Sequence, residues 1–109
     1  MSHITSLLSK ESVRNVLTES FVIVFKHSTR CSTSAKARKE FEKFAEDYHG
    51  EGKLYLIDVI ANRDVSNEIS SLTGINHQSP QVLVIKNGTV IWHTSHWKIT
   101  QEALQDAVV

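Results

Sequence analysis

Cysteine, proline and long apolar runs are scarce in this chain, and each scarcity excludes something. The 109 residues include one cysteine and one proline. A single cysteine cannot form a disulfide bond within its own chain. No apolar run approaches the roughly 18 residues that a membrane-spanning helix requires. We therefore expect neither a disulfide-stabilised scaffold nor a membrane protein.

An excess of charge of either sign is also missing. The chain carries 12 lysine or arginine residues and 12 aspartate or glutamate residues, for a formal net charge of zero. Proteins that bind nucleic acids or anionic membranes usually carry a basic patch, so we expect neither as a partner. The first residues, Met1 to Thr5, lack the basic and long apolar segments of a secretion signal. We expect one domain over residues 1–109, in the reducing cytoplasm.

The apolar pattern predicts alternating strands and helices. Residues 21–25 are an unbroken apolar run with β-branched residues at its centre, typical of an inner strand covered on both faces. A second strand is predicted at 54–59, and Asn87-Gly88 between two apolar runs is typical of a β-hairpin. Apolar residues at helical spacing predict four helices. These begin after Ser9, at residue 34, after Asn62 or Asp64, and after Thr100, and the third ends at Gly74. The predicted order, α-β-α-β-α-β-β-α, is an α/β fold with a four-stranded mixed sheet and helices on both faces.

Cys31 follows the first predicted strand and opens the next helix. The N–H groups of a first helical turn lack intrahelical partners, and the helix dipole favours negative charge there, so a thiol at this position tends to ionise. Arg30 adds an adjacent cation. A lone cysteine can also be a small buried apolar residue. We interpret Cys31 as the reactive nucleophile, supported by Arg30, by the N–H of Thr33 and by a hydrogen bond from Ser34.

The element order, the position of Cys31 and the Ser79-Pro80 pair before the hairpin together resemble the thioredoxin fold. Residues 79–88 are especially similar to the corresponding thioredoxin stretch. The resemblance implies a cis peptide bond at Pro80, and backbone groups of Ser79 that bind an extended substrate beside the sulfur. Thioredoxins use a Cys-x-x-Cys motif, but Ser34 takes the place of the second cysteine here. A two-cysteine catalytic cycle within one chain is therefore excluded.

The stretch from Phe25 to Ser34 resembles the monothiol bacilliredoxin family, although Ser32-Thr33 departs from that family's usual Cys-Pro-Ile-Ser motif. The resemblance implies a redox enzyme of the stress response that removes bacillithiol from protein mixed disulfides. Bacillithiol is then a co-substrate rather than a bound cofactor. The implied partners are bacillithiolated proteins and a separate reductase. The implied substrate-binding residues are Ser79, Pro80, Lys26 and His27, with Lys26 or Arg30 pairing with the carboxylates of bacillithiol.

Other interpretations remain open at this point. His27 can be a proton donor or simply the last residue of a strand. The whole domain can be a non-catalytic binding module that captures peptides in a Ser79-Pro80 groove. It can also be a glutaredoxin-like iron–sulfur carrier, although that family normally shows Cys-Gly-Phe-Ser.

Two further kinds of site are disfavoured by residue spacing. No pair among His77, His93 and His96 has the i, i+4 helical spacing of a zinc site, so we expect no bound metal. In phosphatase loops, five residues separate the cysteine from an arginine, whereas six residues separate Cys31 from Arg38. This spacing argues against phosphate-ester chemistry at Cys31.

Overall fold

A computed structural model describes residues 3–108 of the protein. They form a mixed β-sheet with helices on both faces, as the sequence predicts. The strands are β1 (Ile4–Ser6), β2 (Phe21–His27), β3 (Lys53–Asp58), β4 (Gln81–Lys86) and β5 (Thr89–Ser95). The helices are α1 (Lys10–Val16), α2 (Ser32–Asp47), α3 (Arg63–Thr73) and α4 (Gln101–Ala107), with a 3-10 helix at His96–Lys98. None of the described helices is both long enough and apolar enough to span a bilayer.

The sheet has five strands in the order β1-β3-β2-β4-β5, so the prediction of four strands is wrong. The additional strand, β1, pairs in parallel with β3 at the edge of the sheet, with Ile4 opposite Leu54. Only three residues form β1, and two of them are exposed. Such a short segment shows no detectable period-two apolar pattern, which is why the sequence did not reveal it.

Strand β2 lies at the centre of the sheet and divides the core in two. It pairs in parallel with β3 and antiparallel with β4. Ile23 and Phe25 face a cluster with α2 and α4, while Val22 and Val24 face a cluster with α1 and α3. Burial on both faces explains the continuous apolar run of this strand. Its carboxyl end, together with that of β3, forms the edge of the sheet where Cys31 lies.

The boundaries of the elements follow local sequence signals. The side chain of Ser9 accepts a hydrogen bond from the N–H of Ser12 in a capping box at α1, and Thr100 caps α4 in the same way through Ala103. Gly74 ends α3 with a φ of +74°, a left-handed conformation that glycine adopts without steric cost. The hairpin between β4 and β5 turns at Asn87 and Gly88, whose φ angles are 51° and 80°.

Candidate active site at Cys31

Cys31 is the residue immediately before α2, and its thiol is free and partly exposed. Its backbone is extended, with φ −114° and ψ 124°, and its carbonyl accepts the first hydrogen bond of the helix from the N–H of Ala35 at 3.1 Å. The sulfur is therefore held at the positive end of a 16-residue helix. This is the position that the sequence predicted.

The first turn of α2 lowers the pKa of the Cys31 thiol and so favours the thiolate. The backbone N–H of Ser34 lowers the pKa of the Cys31 thiol most, and the N–H and hydroxyl of Thr33 lower it further. Partial burial opposes them, and the net effect is a pKa below the ordinary value. Because the thiolate is the nucleophilic form, these contacts increase the reactive fraction of Cys31 near neutral pH.

Ser34 acts through its backbone, which corrects the expectation that its hydroxyl binds the sulfur. The side chain is fully buried, and its Oγ accepts a hydrogen bond from the N–H of Ser28 at 2.9 Å. The same oxygen lies 2.8 Å from Nδ1 of His27. The hydroxyl is thus committed to the loop that precedes Cys31, and only the amide of Ser34 faces the thiol.

His27 is the last residue of β2 and is buried beneath α2. Its ring centroid lies 5.8 Å from that of Phe25. Burial lowers the pKa of His27, with a smaller lowering from Arg38 and opposing contributions from Asp58 and the Ser34 contact. A substrate at the surface cannot reach this ring, so the predicted substrate contact through His27 is corrected to a contact within the protein.

Lys26 points to the opposite face of the sheet and has no exposed surface. Its Nζ donates a hydrogen bond to Oγ of Ser70 at 2.9 Å and lies 3.2 Å from Nδ1 of His77. None of the carboxylates in residues 3–108 forms an ion pair with it. Burial lowers the pKa of Lys26 to about 8. The expectation that Lys26 contacts substrate directly is therefore wrong, because the amine is buried against Ser70 of α3 and His77.

A cleft of ≈ 230 Å³ lies beside Cys31. Three segments meet there: the loop between β2 and α2, the start of α3 with the loop before it, and the loop that precedes β4. The lining residues are Ser28 and Cys31 from the first segment, Val59, Ile60, Arg63, Ser66 and Asn67 from the second, and His77 and Ser79 from the third.

Most of these residues were missed, or assigned to another role, by sequence reasoning. Arg63, Ser66 and Asn67 were not considered, and His77 was considered only as a metal ligand. One signal could have pointed to them. In a parallel β-α-β unit the carboxyl ends of the two strands meet at one edge, and functional groups gather in the crevice there. The start of α3 follows β3 at that edge, and the start of α2 follows β2 at the same edge.

Ser79 lines the same cleft as Cys31, and the peptide bond between Ser79 and Pro80 is cis. The Oγ of Ser79 is buried and has no hydrogen-bond partner among residues 3–108. Pro80 is buried, and its carbonyl accepts a hydrogen bond from the N–H of His96 at 3.1 Å. The fold thus brings Ser79 and Cys31 to one cleft, whereas Arg30 is exposed and outside its lining.

A free thiol at a helix N-terminus, sharing a cleft with a cis-proline loop, defines this chain as a single-cysteine protein of the thioredoxin fold. A solved structure described as a candidate oxidoreductase with a thioredoxin fold is similar over 98% of this chain and 95% of its own, with 31% identity and a TM-score of 0.87. Malassezia sympodialis thioredoxin covers 99% of this chain and 90% of its own, with 21% identity and a TM-score of 0.78. Thioredoxin from Trypanosoma brucei brucei is similar over 96% of this chain and 90% of its own length, with 17% identity and a TM-score of 0.77. The last two comparisons concern the fold alone.

A family model described as monothiol bacilliredoxin BrxC matches residues 3–104. The chain belongs to the monothiol bacilliredoxin family. The family and the fold together support the role of a thiol oxidoreductase.

Proposed function

We propose that this protein removes bacillithiol from protein mixed disulfides through Cys31. The observation that carries the proposal is the thiol itself, which borders a polar cleft at the N-terminus of α2, where Ser34 and Thr33 lower its pKa. It is also the only cysteine in the sequence, as a monothiol mechanism requires. The proposed compartment is the cytoplasm, where small thiols keep such a cysteine reduced.

The proposed reaction has two exchange steps. The Cys31 thiolate attacks the bacillithiol sulfur of the mixed disulfide, so that a bond forms between these two sulfurs and the protein substrate leaves as its thiolate. A second bacillithiol, or a thiol of a separate reductase, then attacks the bacillithiol sulfur held by Cys31. The Cys31 thiolate leaves and is restored, and the attacking thiol forms a new disulfide with bacillithiol.

Each residue of the site has a defined part in this proposal. The N–H of Ser34 and the N–H and hydroxyl of Thr33 stabilise Cys31 as a thiolate, both before attack and when it leaves. Ser79, held by the cis bond to Pro80, offers backbone groups to an extended protein substrate. Arg30, exposed next to Cys31, adds positive charge on the outer side of the loop.

The test is a transfer experiment followed by mass spectrometry. Reduced protein is mixed with a bacillithiolated substrate protein, and both partners are weighed. We expect Cys31 to gain the mass of one bacillithiol while the substrate loses it, and we expect Cys31→Ser to abolish both changes. Retained mass on the substrate with wild-type protein would contradict the proposal. Binding of the substrate by Cys31→Ser that equals wild-type binding, without any transfer by wild type, would instead indicate a binding module.

A further inference from the structure

We infer that Arg63 and His77 form a carboxylate-binding subsite beside Cys31, which selects small thiols and disulfides that carry a negative charge. This inference rests on the proposed function, because the ligand enters the cleft as the small-molecule half of a disulfide that Cys31 attacks.

The first support is the charge of the cleft. Its lining contains Arg63 and no aspartate or glutamate. Arg14 and Arg38 are held in ion pairs, with Glu68 at 2.9 Å and with Glu42 at 3.4 Å. Arg63 has no such pair within residues 3–108, and its side chain is exposed. A guanidinium that is free in this way offers the planar pair of donors that matches a carboxylate.

The second support is the tautomer of His77. A protonated lysine amine has three donors and no acceptor, so Nζ of Lys26 must donate to Nδ1 of His77 across their 3.2 Å contact. Partial desolvation lowers the pKa of His77, and the charges of Lys26 and Arg63 lower it further, which favours the neutral ring. A neutral ring whose Nδ1 accepts carries its hydrogen on Nε2. Lys26 is therefore a positioning residue that makes His77 a hydrogen-bond donor.

The third support is the size and polarity of the space. A volume of ≈ 230 Å³ accommodates a small acidic group but is below the range typical of sites that enclose a whole drug-sized ligand. The amide of Asn67 supplies a further polar group, and Ser79 lines the same cleft. A site with several donors and no carboxylate is suited to an anion.

This assignment replaces the residues that the sequence suggested for the same task. Lys26 is buried and reaches the cleft only through His77. Arg30 is adjacent to Cys31 in sequence but does not line the cleft. Arg63, 32 positions after Cys31, is the arginine that does.

The experiment compares three symmetrical disulfides of similar length: dithiodipropionate, which is anionic, 2-hydroxyethyl disulfide, which is neutral, and cystamine, which is cationic. In each reaction the Cys31 thiolate attacks one sulfur, a mixed disulfide forms, and one equivalent of the small thiolate is released. The rate of adduct formation is followed by mass spectrometry at fixed ionic strength. Alkylation by uncharged iodoacetamide measures the reactivity of the thiolate separately.

We expect wild type to react about tenfold faster with the anionic disulfide than with the cationic one, the size of a single favourable charge contact near a protein surface. Arg63→Gln should reduce this preference to about twofold, after each rate is divided by the rate with iodoacetamide to correct for any change in the reactivity of the thiolate. His77→Gln should reduce it as well, and Arg63→Lys should retain part of it. Arg30→Gln, the matched charge change outside the cleft, should retain most of it.

The outcomes separate the two proposals. Equal rates with all three disulfides, or loss of the preference in Arg30→Gln but not in Arg63→Gln, would overturn the subsite and leave the proposed function intact. Failure of all three disulfides to modify Cys31 would overturn the proposed function and the subsite with it.

Discussion

Two polar clusters lie at the same end of β2, on opposite faces of the sheet, and they differ in exposure, since His27 is buried whereas His77 is exposed. On the α2 face, Oγ of Ser34 joins His27 to the N–H of Ser28. On the α3 face, Lys26 contacts Ser70 and His77. The two clusters arise from consecutive residues, because neighbouring side chains in a strand point to opposite faces.

The difference between the clusters is access to the cleft. The His27 cluster is closed by Phe25 and α2, and its hydrogen bonds fix the loop that carries Cys31. The His77 cluster borders the cleft, so its hydrogen bonds can be completed by a ligand. The first cluster therefore shapes the active site, while the second takes part in what the site binds. One substitution in each cluster tests this division, and a third, beside the sulfur, tests the activation of Cys31.

The largest effect is expected from Ser34→Ala in the closed cluster. The substitution leaves the N–H of Ser28 and Nδ1 of His27 buried without their shared partner, which should lower the free energy of unfolding by about 3 kcal/mol. Urea unfolding measures this loss, with Ser32→Ala at an exposed position of the same turn as the control. Since the amide of Ser34 is retained, the pKa of Cys31 should stay below its ordinary value. A stability equal to wild type would show that this cluster does not hold the loop.

An intermediate effect, dependent on pH, is expected from Lys26→Met in the open cluster. The pKa of Lys26 falls to about 8 in the folded state, from an ordinary value of 10.5. Below pH 8 the folded protein carries a buried charge, and between pH 8 and 10.5 the unfolded chain binds this proton while the folded protein does not. The contribution of Lys26 to the free energy of unfolding therefore rises with pH across that interval.

Lys26→Met should accordingly be more stable than wild type at pH 7, by about 2 kcal/mol, because methionine fills similar space without the charge. The difference should close as the pH approaches 10.5. Thermal or urea unfolding at pH 7 and near pH 10.5 measures this difference in stability. Lys39→Met, at an exposed lysine of α2, is the control. A stability difference that does not change with pH would contradict burial of a charged amine at this position.

The smallest effect is expected from Thr33→Ala, beside the sulfur itself. The hydroxyl of Thr33 is one of several groups that lower the pKa of Cys31, so its removal should raise that pKa only partly. At pH 6 the rate of alkylation by iodoacetamide should fall about threefold, as a shift of half a pKa unit requires. Thr33→Ser should restore the wild-type rate. An unchanged rate in Thr33→Ala would assign the activation of Cys31 to backbone groups alone.

Much of the fold could be predicted from the sequence because its signals are local. The apolar run of β2, the Asn87-Gly88 turn and the position of Gly74 each specify a backbone conformation within a few residues. The junction position of Cys31 follows from the same signals. The strand β1 could not be predicted, since its stability comes from pairing with β3 and not from its own three residues.

The surroundings of Cys31 were less accessible to prediction because they depend on packing between distant segments. A lysine and a histidine after an apolar run usually mark the point where a strand reaches solvent, since charged groups are rarely buried. Here β2 continues through both, and α2 and α3 cover them. Arg63 and Asn67 enter the site only because α3 starts at the same edge of the sheet as α2.

The buried hydroxyl of Ser34 also determines how long a modification of Cys31 lasts. A thioredoxin-type motif places a second thiol one turn along the helix, where it can expel a bound partner rapidly, but here that position holds an oxygen that is fixed by two hydrogen bonds. Once Cys31 has formed an adduct in the proposed reaction, its lifetime depends on the concentration of thiols in the surrounding solution. In the proposed reaction, the fraction of the protein that carries an adduct would then fall as the concentration of free thiols rises.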